Sequence, residues 1–429
     1  MFDIFKTLIN RKREKNEPES NDIKIKNPQR KNSIEEQNHP ESLIAKYEAY
    51  STMPQQLSNI IEVAPRDVQQ LVRGNKKRFH ENLDYNLLLI RERLPDDKLT
   101  FEQFVISKRG KKKVVMTYLK DVANPSVVEQ VRNKIKAIKA ETLLDTSYLE
   151  RNIENSNISP FPQVELTTRP DLAEAALFQG RIMIFLDGSP DVLLAPTTFF
   201  DLMDTPEDAY SRWFIASNFF RIARYIMFIM AVSLPAFYIA LTSHNPEMLP
   251  TRMAMLIAAS TDGSPFPVYF EAFLMMGVVE AVRLILIRFP NEIGSVIGIF
   301  AGIVLVGAGL FANIFGPIIV MIVTLTIITS FAIPNYDLRT ATRIIQFFTM
   351  IMTTMFGVFG FAVAFFYIAI HLVTLKSFGI PYMTPLAPAE ASGWGHTILR
   401  DNTVVMAQDE TYDPLATDET KLEKGENNE

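Results

Sequence analysis

Three charged residues in the most apolar part of the chain, Glu271, Glu280 and Arg283, are the first candidates for chemistry. They lie within residues 214–375, a stretch of 162 residues that contains only seven arginines and six acidic residues. An ionisable side chain at membrane depth costs about 2.5–3.5 kcal/mol on insertion scales, so it is held against protein or water. Such groups suit ion permeation or gating. Glu280 and Arg283 are three residues apart on a helix and equally suit a structural pair that orients neighbouring helices.

Covalent and metal chemistry finds no support in the sequence. The chain has no cysteine, which excludes disulfides, thiolate catalysis and iron–sulfur clusters. Phosphate-binding glycine loops, the H-E-x-x-H motif and the G-x-S-x-G motif are all absent from the sequence. The histidines lack metal-ligand spacing and stand at positions 39, 80, 244, 371 and 396. We therefore expect no enzyme, no cofactor and no metal site.

The densest positive segment, residues 108–113, reads as the loop of a β-hairpin. Anionic lipid headgroups could contact it, although a solvated turn explains it more simply. No aromatic stacking residue is interleaved with its lysines, so nucleic acid is not an expected partner.

Four regions follow from the uneven distribution of charge. Residues 1–45 are rich in Lys, Glu, Asn, Ser and Pro and predict a disordered leader without a secretory signal. Residues 46–212 predict a small cytosolic mixed α/β domain, with strands near 101–107, 114–122, 181–186 and 192–195. Ser126 and Glu129 have capping-box spacing at the start of one of its helices. Residues 213–376 predict an α-helical multi-pass membrane domain of about five to six helices, and residues 377–429 predict an acidic C-terminal tail.

The membrane domain divides into apolar runs at about 219–243, 268–288, 293–313 and 317–333, with a short interfacial segment at 252–259. A final apolar run, 344–375, has 32 residues and is too long for one straight crossing. It must tilt, project from the bilayer or break, and Gly357 and Gly360 are the expected breaking points. Arginines before the first run and after the fourth favour the cytosolic side for both loops. Gly294, Gly298 and Gly302 have the G-x-x-x-G spacing of close helix contacts.

The segment from Leu234 to Thr251, LPAFYIALTSHNPEMLPT, resembles the signature of the GerA family, which comprises the A subunits of spore germinant receptors and the related stage V sporulation protein AF. Further motifs match in order over roughly residues 70–390, among them Ser159–Pro162, Gly180-Arg181, Ser330–Tyr336 and Ser377–Tyr382. The individual signature residues are Pro235, Pro246, Glu247, Pro250, Pro265, Pro267, Pro334 and Asn335.

The resemblance implies a multi-pass protein of the spore inner membrane or cell membrane with a cytosolic N-terminal domain. It implies a ring-shaped homo-oligomer in the lipid bilayer that works with germinant receptor B and C subunits or a similar small membrane partner. Two departures stand out: the N-terminal domain is truncated relative to the family, and positions that are often polar there are apolar here, at Met276, Leu284, Val306 and Phe311.

Two main functions remain open from the sequence. The first is a channel-type subunit of a spore germination complex that takes part in ion release, with Glu271 and Glu280 facing water or a neighbouring subunit. The second is a non-conducting accessory or structural paralogue. A secondary transporter ranks last because the sequence contains no two matching halves.

Overall fold

An antiparallel sheet organises the N-terminal part of the structure, a computed structural model that describes residues 78–387 apart from 107–109, 142, 157 and 206–213. The predicted leader and most of the acidic tail lie outside the described residues. The sheet has the order β1-β2-β4-β5-β3, and each neighbouring pair is antiparallel. Its strands are β1 (Leu99–Ile106), β2 (Lys112–Leu119), β3 (Glu165–Thr167), β4 (Ile182–Leu186) and β5 (Val192–Ala195).

Helices cover both faces of this sheet, because the central strands β4 and β5 are apolar at every position and must be buried on both sides. Their bounds are α1 (Leu83–Arg93), α2 (Pro125–Ala137), α3 (Thr146–Ile153), α4 (Pro170–Phe178) and α5 (Phe199–Met203). One core contains Val131 and Ile135 of α2 with Leu149 of α3. The other contains Ile90 of α1 and Leu177 of α4.

The predicted capping box at α2 is wrong. Asn124, not Ser126, is the N-cap residue, and its side-chain oxygen accepts a hydrogen bond from the Ser126 backbone N–H at 2.9 Å. The Ser126 hydroxyl also donates to this oxygen. Asn124 is the cap because Pro125 occupies the first helical position, where the N–H that proline lacks would have no partner within the helix.

Long apolar helices form the second half of the structure. They are α6 (Phe214–Ile239), α7 (Thr251–Thr261), α8 (Val268–Leu286), α9 (Asn291–Phe311), α10 (Pro317–Ser330) and α11 (Tyr336–Thr374). Helix α6 packs against α10 and α11, and α8 packs against α9 and α10. Among the described residues, Ser217–His244 and Tyr336–Thr374 are long and apolar enough to span a bilayer, and shorter apolar helices cover Val296–Phe311 and Pro317–Ser330. These helices are compatible with a membrane domain.

Helix α11 is a hairpin, and the break predicted at Gly357 is confirmed. Gly357 has φ 61° and ψ −142°, outside the helical region, between two otherwise helical segments. The rings of Phe348 and Tyr367 lie 5.6 Å apart, whereas a continuous helix would separate residues nineteen positions apart by about 28 Å. The two segments therefore run antiparallel. The helix also begins at Tyr336, eight residues before the predicted apolar run, because Asn335 caps it through the backbone N–H groups of Asp337 and Leu338.

The chain returns to the α/β domain after α11. Strands β6 (Lys376–Ser377) and β7 (Ile380–Pro381) form a small hairpin, and Phe378 beside them is fully buried in the core that contains α2 and α3. The Ser377 hydroxyl donates to the Gln163 carbonyl at 2.7 Å and accepts from the Thr197 N–H at 3.1 Å. The first residues of the predicted acidic tail thus belong to the folded core, and the boundary predicted at residue 377 lies inside the fold.

Candidate functional site

Glu271 lies in the first turn of α8 and is fully buried. Its carboxylate accepts hydrogen bonds from the Ser264 hydroxyl and from the backbone N–H of Gly316, the latter at 3.2 Å. Gly316 is the N-cap residue of α10, so this carboxylate lies at the N-termini of two helices, where their dipoles favour negative charge. In this structure the Glu271 side chain is enclosed by its own chain, so the described residues give no support to the expectation that it faces water or a neighbouring subunit.

A small cavity with a mixed polar and apolar lining adjoins Glu271, at the same end of the helices. Its volume is about 220 Å³. A side chain at Gly316 would meet the Ser260 carbonyl at 3.0 Å and Glu271 at 3.6 Å, so glycine is what lets the two helix ends meet here. The cavity is lined by Ser260, Asp262, Ser264, Leu310, Asn313, Phe315, Gly316 and Pro317.

Glu280 and Arg283 form the ion pair that their spacing predicts. Arg283 Nη1 lies 2.5 Å from Glu280 Oε1, and Arg343 of α11 approaches the other carboxylate oxygen at 3.9 Å. Glu280 thus connects α8 with α11, as the structural alternative anticipates. Glu271 and Glu280 do not share a site, because nine residues of helix place them on opposite faces.

Comparison with known proteins identifies the family. The family model described as Bacillus/Clostridium GerA spore germination protein matches residues 43–412, a wider range than the motifs at 70–390 predicted. The chain belongs to the GerA family. Its resemblance to that family is thereby confirmed over most of its length.

Several GerA relatives are similar over most of this chain. Spore germination protein GerLA of Bacillus cereus is 38% identical over 336 residues, which are 78% of this chain and 68% of the relative. The uncharacterized membrane protein YfkQ of Bacillus subtilis (strain 168) is 36% identical over 75% of this chain and 62% of its own length. Spore germination protein B1 of the same strain is 35% identical over 78% and 69%.

A solved structure of part of a related protein is also similar to this chain. The crystal structure of the N-terminal domain of the A subunit of the Bacillus megaterium spore germinant receptor GerK3 covers 29% of this chain and 98% of its own, at 35% identity and a TM-score of 0.25.

The GerA signature residues lie mainly where helices begin. Pro250, Pro267 and Asn335 are the N-cap residues of α7, α8 and α11. Pro265 stands in the loop before α8, and Pro334 directly precedes the cap of α11. Pro235 lies inside α6, and Pro246 and Glu247 form a single 3₁₀ turn after it. Apart from Pro235, these residues therefore stand at the turns and helix starts of the helical part.

A contact between the two parts of this GerA protein could not be found from sequence. His371, near the end of α11, is bonded to the Ser159 hydroxyl at 2.9 Å. Its ring is stacked between Phe161 and Tyr367, with centroid distances of 5.9 and 6.5 Å. Ser159 stands in a family motif, yet its partner is 212 residues away, so no local pattern links them.

Acidic side chains accumulate at the same junction. Burial raises the pKa of the Glu150 carboxyl from an ordinary value near 4.5 to about 8, and nearby Asp337, Glu154 and Asp191 act in the same direction. Burial also raises the pKa of Glu154, which Lys134 opposes. At neutral pH Glu150 is therefore largely protonated in the folded protein.

We expect the folded protein to lose stability as pH rises from about 5 to 8. Over this interval the folded chain holds a proton on Glu150 that the unfolded chain has already released, so each pH unit weakens folding by up to about 1.4 kcal/mol. Melting temperatures of the full chain in detergent, measured across this range, check the slope. Glu150→Gln is expected to flatten it, whereas Glu141→Gln, an exposed position nearby, keeps it. A wild-type melting temperature independent of pH would contradict the assignment.

Proposed function

We propose that this GerA protein is a channel-type membrane subunit of a spore germination complex and takes part in ion release during germination. Family membership over residues 43–412 is the observation that carries the proposal. The names of GerLA and of spore germination protein B1 support the process. Receptor B and C subunits, or a similar small membrane partner, are the proposed companions.

Six crossings of the bilayer are the proposed topology: α6, α8, α9, α10 and the two halves of α11. Arg221 bonds Asp204, next to the α/β domain, and Arg283 and Arg343 lie near the start of α11. Glu247 and Asp262 lie in the loops at the opposite end. Positive charge at the α/β end favours the cytosolic side for this domain and for residues 376–387.

A homo-oligomer is also proposed, with α9 as a contact surface. Its side chains are exposed on much of the helix, for example Ile299 and Phe300, while Gly302 and Gly307 leave open space around their Cα atoms. Small residues of this kind allow helices of neighbouring copies to approach closely within lipid.

Replacement of Glu271 separates a role in conduction from a role in capping. Glu271→Gln keeps an oxygen that accepts from the Gly316 N–H but removes the charge. If the charge serves ion passage, we expect spores carrying Glu271→Gln to release ions several-fold more slowly at an unchanged protein level. Glu271→Ala removes the cap as well and is expected to lower the protein level, because the Gly316 N–H and the Ser264 hydroxyl lose their acceptor.

Spores that lack the native gene and carry each variant provide the measurement, with ion efflux and immunoblot signal recorded together. Asp262→Asn, at the neighbouring cavity, is the matched control. Wild-type efflux with Glu271→Gln would overturn the role of the charge in conduction and leave capping as its function.

The enclosure of Glu271 favours a second candidate, the non-conducting accessory paralogue. Met276, a position often polar in the family by resemblance, is buried, and Phe311 is almost fully exposed on the outside of α9. Neither gives an ion a polar path through the described chain. Absence of ion flux in liposomes, for the protein alone and with its partners, would favour this candidate over the channel.

A further inference from the structure

Three arginines lie near one another where α8 ends and α11 begins, and two of them approach the Glu280 carboxylate. Arg283 and Arg343 both approach Glu280, and Arg339 lies one helical turn before Arg343 on the same face. Within the described part of the chain, Glu280 is the only acidic residue in ion-pair range of these arginines. The cluster therefore carries a net charge of about plus two in apolar surroundings, which an anion would offset.

Hydrogen-bond donors at this cluster outnumber the acceptors. Arg343 Nε and Gln346 Nε2 are buried and have no hydrogen-bond partner in the described residues, and Gln346 is only 4% exposed. They are three residues apart, on one face of α11. Arg339 donates from Nε and Nη2 to the Ile333 carbonyl, at 3.2 and 2.6 Å, so one neutral oxygen serves two of its donors. Guanidinium forks of this kind match the oxygens of a phosphate.

The cluster opens toward the apolar outer surface of the helices. Leu284 beside Arg283, Ile344 beside Arg343, and Phe331 are each more than half exposed, and the Arg339 guanidinium lies 5.8 Å from the Phe331 ring centroid. Tyr336, also exposed, suits the boundary between hydrocarbon and headgroups. A ligand whose phosphate lies at the arginine cluster and whose acyl chains lie along the helices fits both the cluster and the apolar surface beside it.

We propose that Arg283, Arg339 and Arg343 bind the phosphate of an anionic phospholipid headgroup at the α/β-domain end of the helices. Glu280 holds Arg283 and Arg343 in place, and Gln346 supplies a neutral donor. The proposal depends on the helices lying in a bilayer and not on whether the protein conducts ions.

Binding of defined lipids to the purified full-length protein tests this assignment. The protein in neutral detergent is titrated with phosphatidylglycerol, phosphatidylcholine or inorganic phosphate. Retained lipid is counted by native mass spectrometry, and the apparent melting temperature is followed in parallel. We expect phosphatidylglycerol to bind and stabilise, and phosphatidylcholine to do so much more weakly. Arg343→Gln is expected to weaken phosphatidylglycerol binding about fivefold, since one basic residue near a membrane surface contributes about 1 kcal/mol.

Two further variants sharpen the test. Arg252→Gln removes an exposed arginine at the opposite end of the helices and is expected to bind like the wild type. Gln346→Leu keeps every charge and removes one donor, with an expected loss of about threefold, and it carries the test if Arg343→Gln does not fold.

Equal binding by the wild type, Arg343→Gln and Gln346→Leu would overturn the site. Stabilisation by inorganic phosphate equal to that by phosphatidylglycerol, and sensitive to Arg343→Gln, would keep the phosphate site but assign it to free phosphate, overturning the lipid assignment.

Discussion

Gly357→Ala is expected to lower the melting temperature of the full chain by about 5–10 °C. A side chain at φ 61° and ψ −142° costs about 1–3 kcal/mol, because this region is almost restricted to glycine. The added Cβ would also lie 2.9 Å from His244 Cβ, and such overpacking costs a similar amount. The total of about 2–6 kcal/mol is in line with the predicted shift for a folded unit of this size.

The contact with His244 explains why the reversal has no room for a side chain. His244 Nε2 lies 3.0 Å from the carbonyl oxygen of Thr354, and since a carbonyl only accepts, the ring nitrogen donates. A continuous helix would pair that carbonyl with the N–H of Val358. The imidazole takes the place of this partner at the reversal, where the helix ends.

Retention of monodisperse protein after heating, measured by size-exclusion chromatography, gives the melting temperature. Gly277→Ala, inside α8, is the matched control, because its Cβ meets nothing within 4 Å and alanine favours a helix interior over glycine. Equal melting temperatures for Gly357→Ala and Gly277→Ala would contradict the reversal at residue 357.

Arg181→Met is expected to destabilise the sheet domain by about 3–5 kcal/mol. The Arg181 side chain is 4% exposed and donates to Glu165 Oε2 and Thr197 Oγ1, each at 2.7 Å, and to the Pro196 carbonyl at 2.8 Å. Burial raises the pKa of Glu165, and Arg181 opposes that shift. Removal of the guanidinium leaves a buried carboxylate without its counter-ion, which is the costly way to break a buried pair.

Hydrogen exchange of the β4 and β5 amides in the full-length protein, together with thermal melting, measures this loss. The double variant Arg181→Met with Glu165→Gln is expected to recover part of it, because no uncompensated charge remains. Lys98→Met breaks an exposed pair with Asp121 and is expected to leave the melting temperature unchanged. A double variant as unstable as Arg181→Met alone would show that lost packing, and not the stranded carboxylate, dominates.

Local patterns predicted the elements but not their long-range partners. The apolar runs of β4 and β5 stand in the sequence, and the structure has both strands within one residue of the predicted bounds. The sequence does not predict the short strand β3, because three residues, of which only Leu166 is apolar, give no alternation. The sequence places Phe378 in the acidic tail, since nothing near Phe378 indicates the core that it fills.

In the candidate site, too, the sequence predicts contacts within one helix but not contacts between distant segments. The spacing of Glu280 and Arg283 predicted their pair, because a helix fixes neighbours three residues apart. The third member, Arg343, comes from another helix, and the cap that Glu271 provides to Gly316 spans 45 residues. Tertiary packing alone sets such contacts, so an acidic residue in an apolar run indicated a site without indicating its surroundings.

The return of α11 to its starting side limits how the helices can move. Near its start, Asn335 and Leu338 tie it to the turn before it and to the aromatic cluster of Phe161 and Phe199. Its end is fastened by His371 and by the strand pair at 376–381. A helix that crosses once could move along its own axis. A hairpin that is anchored to the α/β domain at both ends resists this translation.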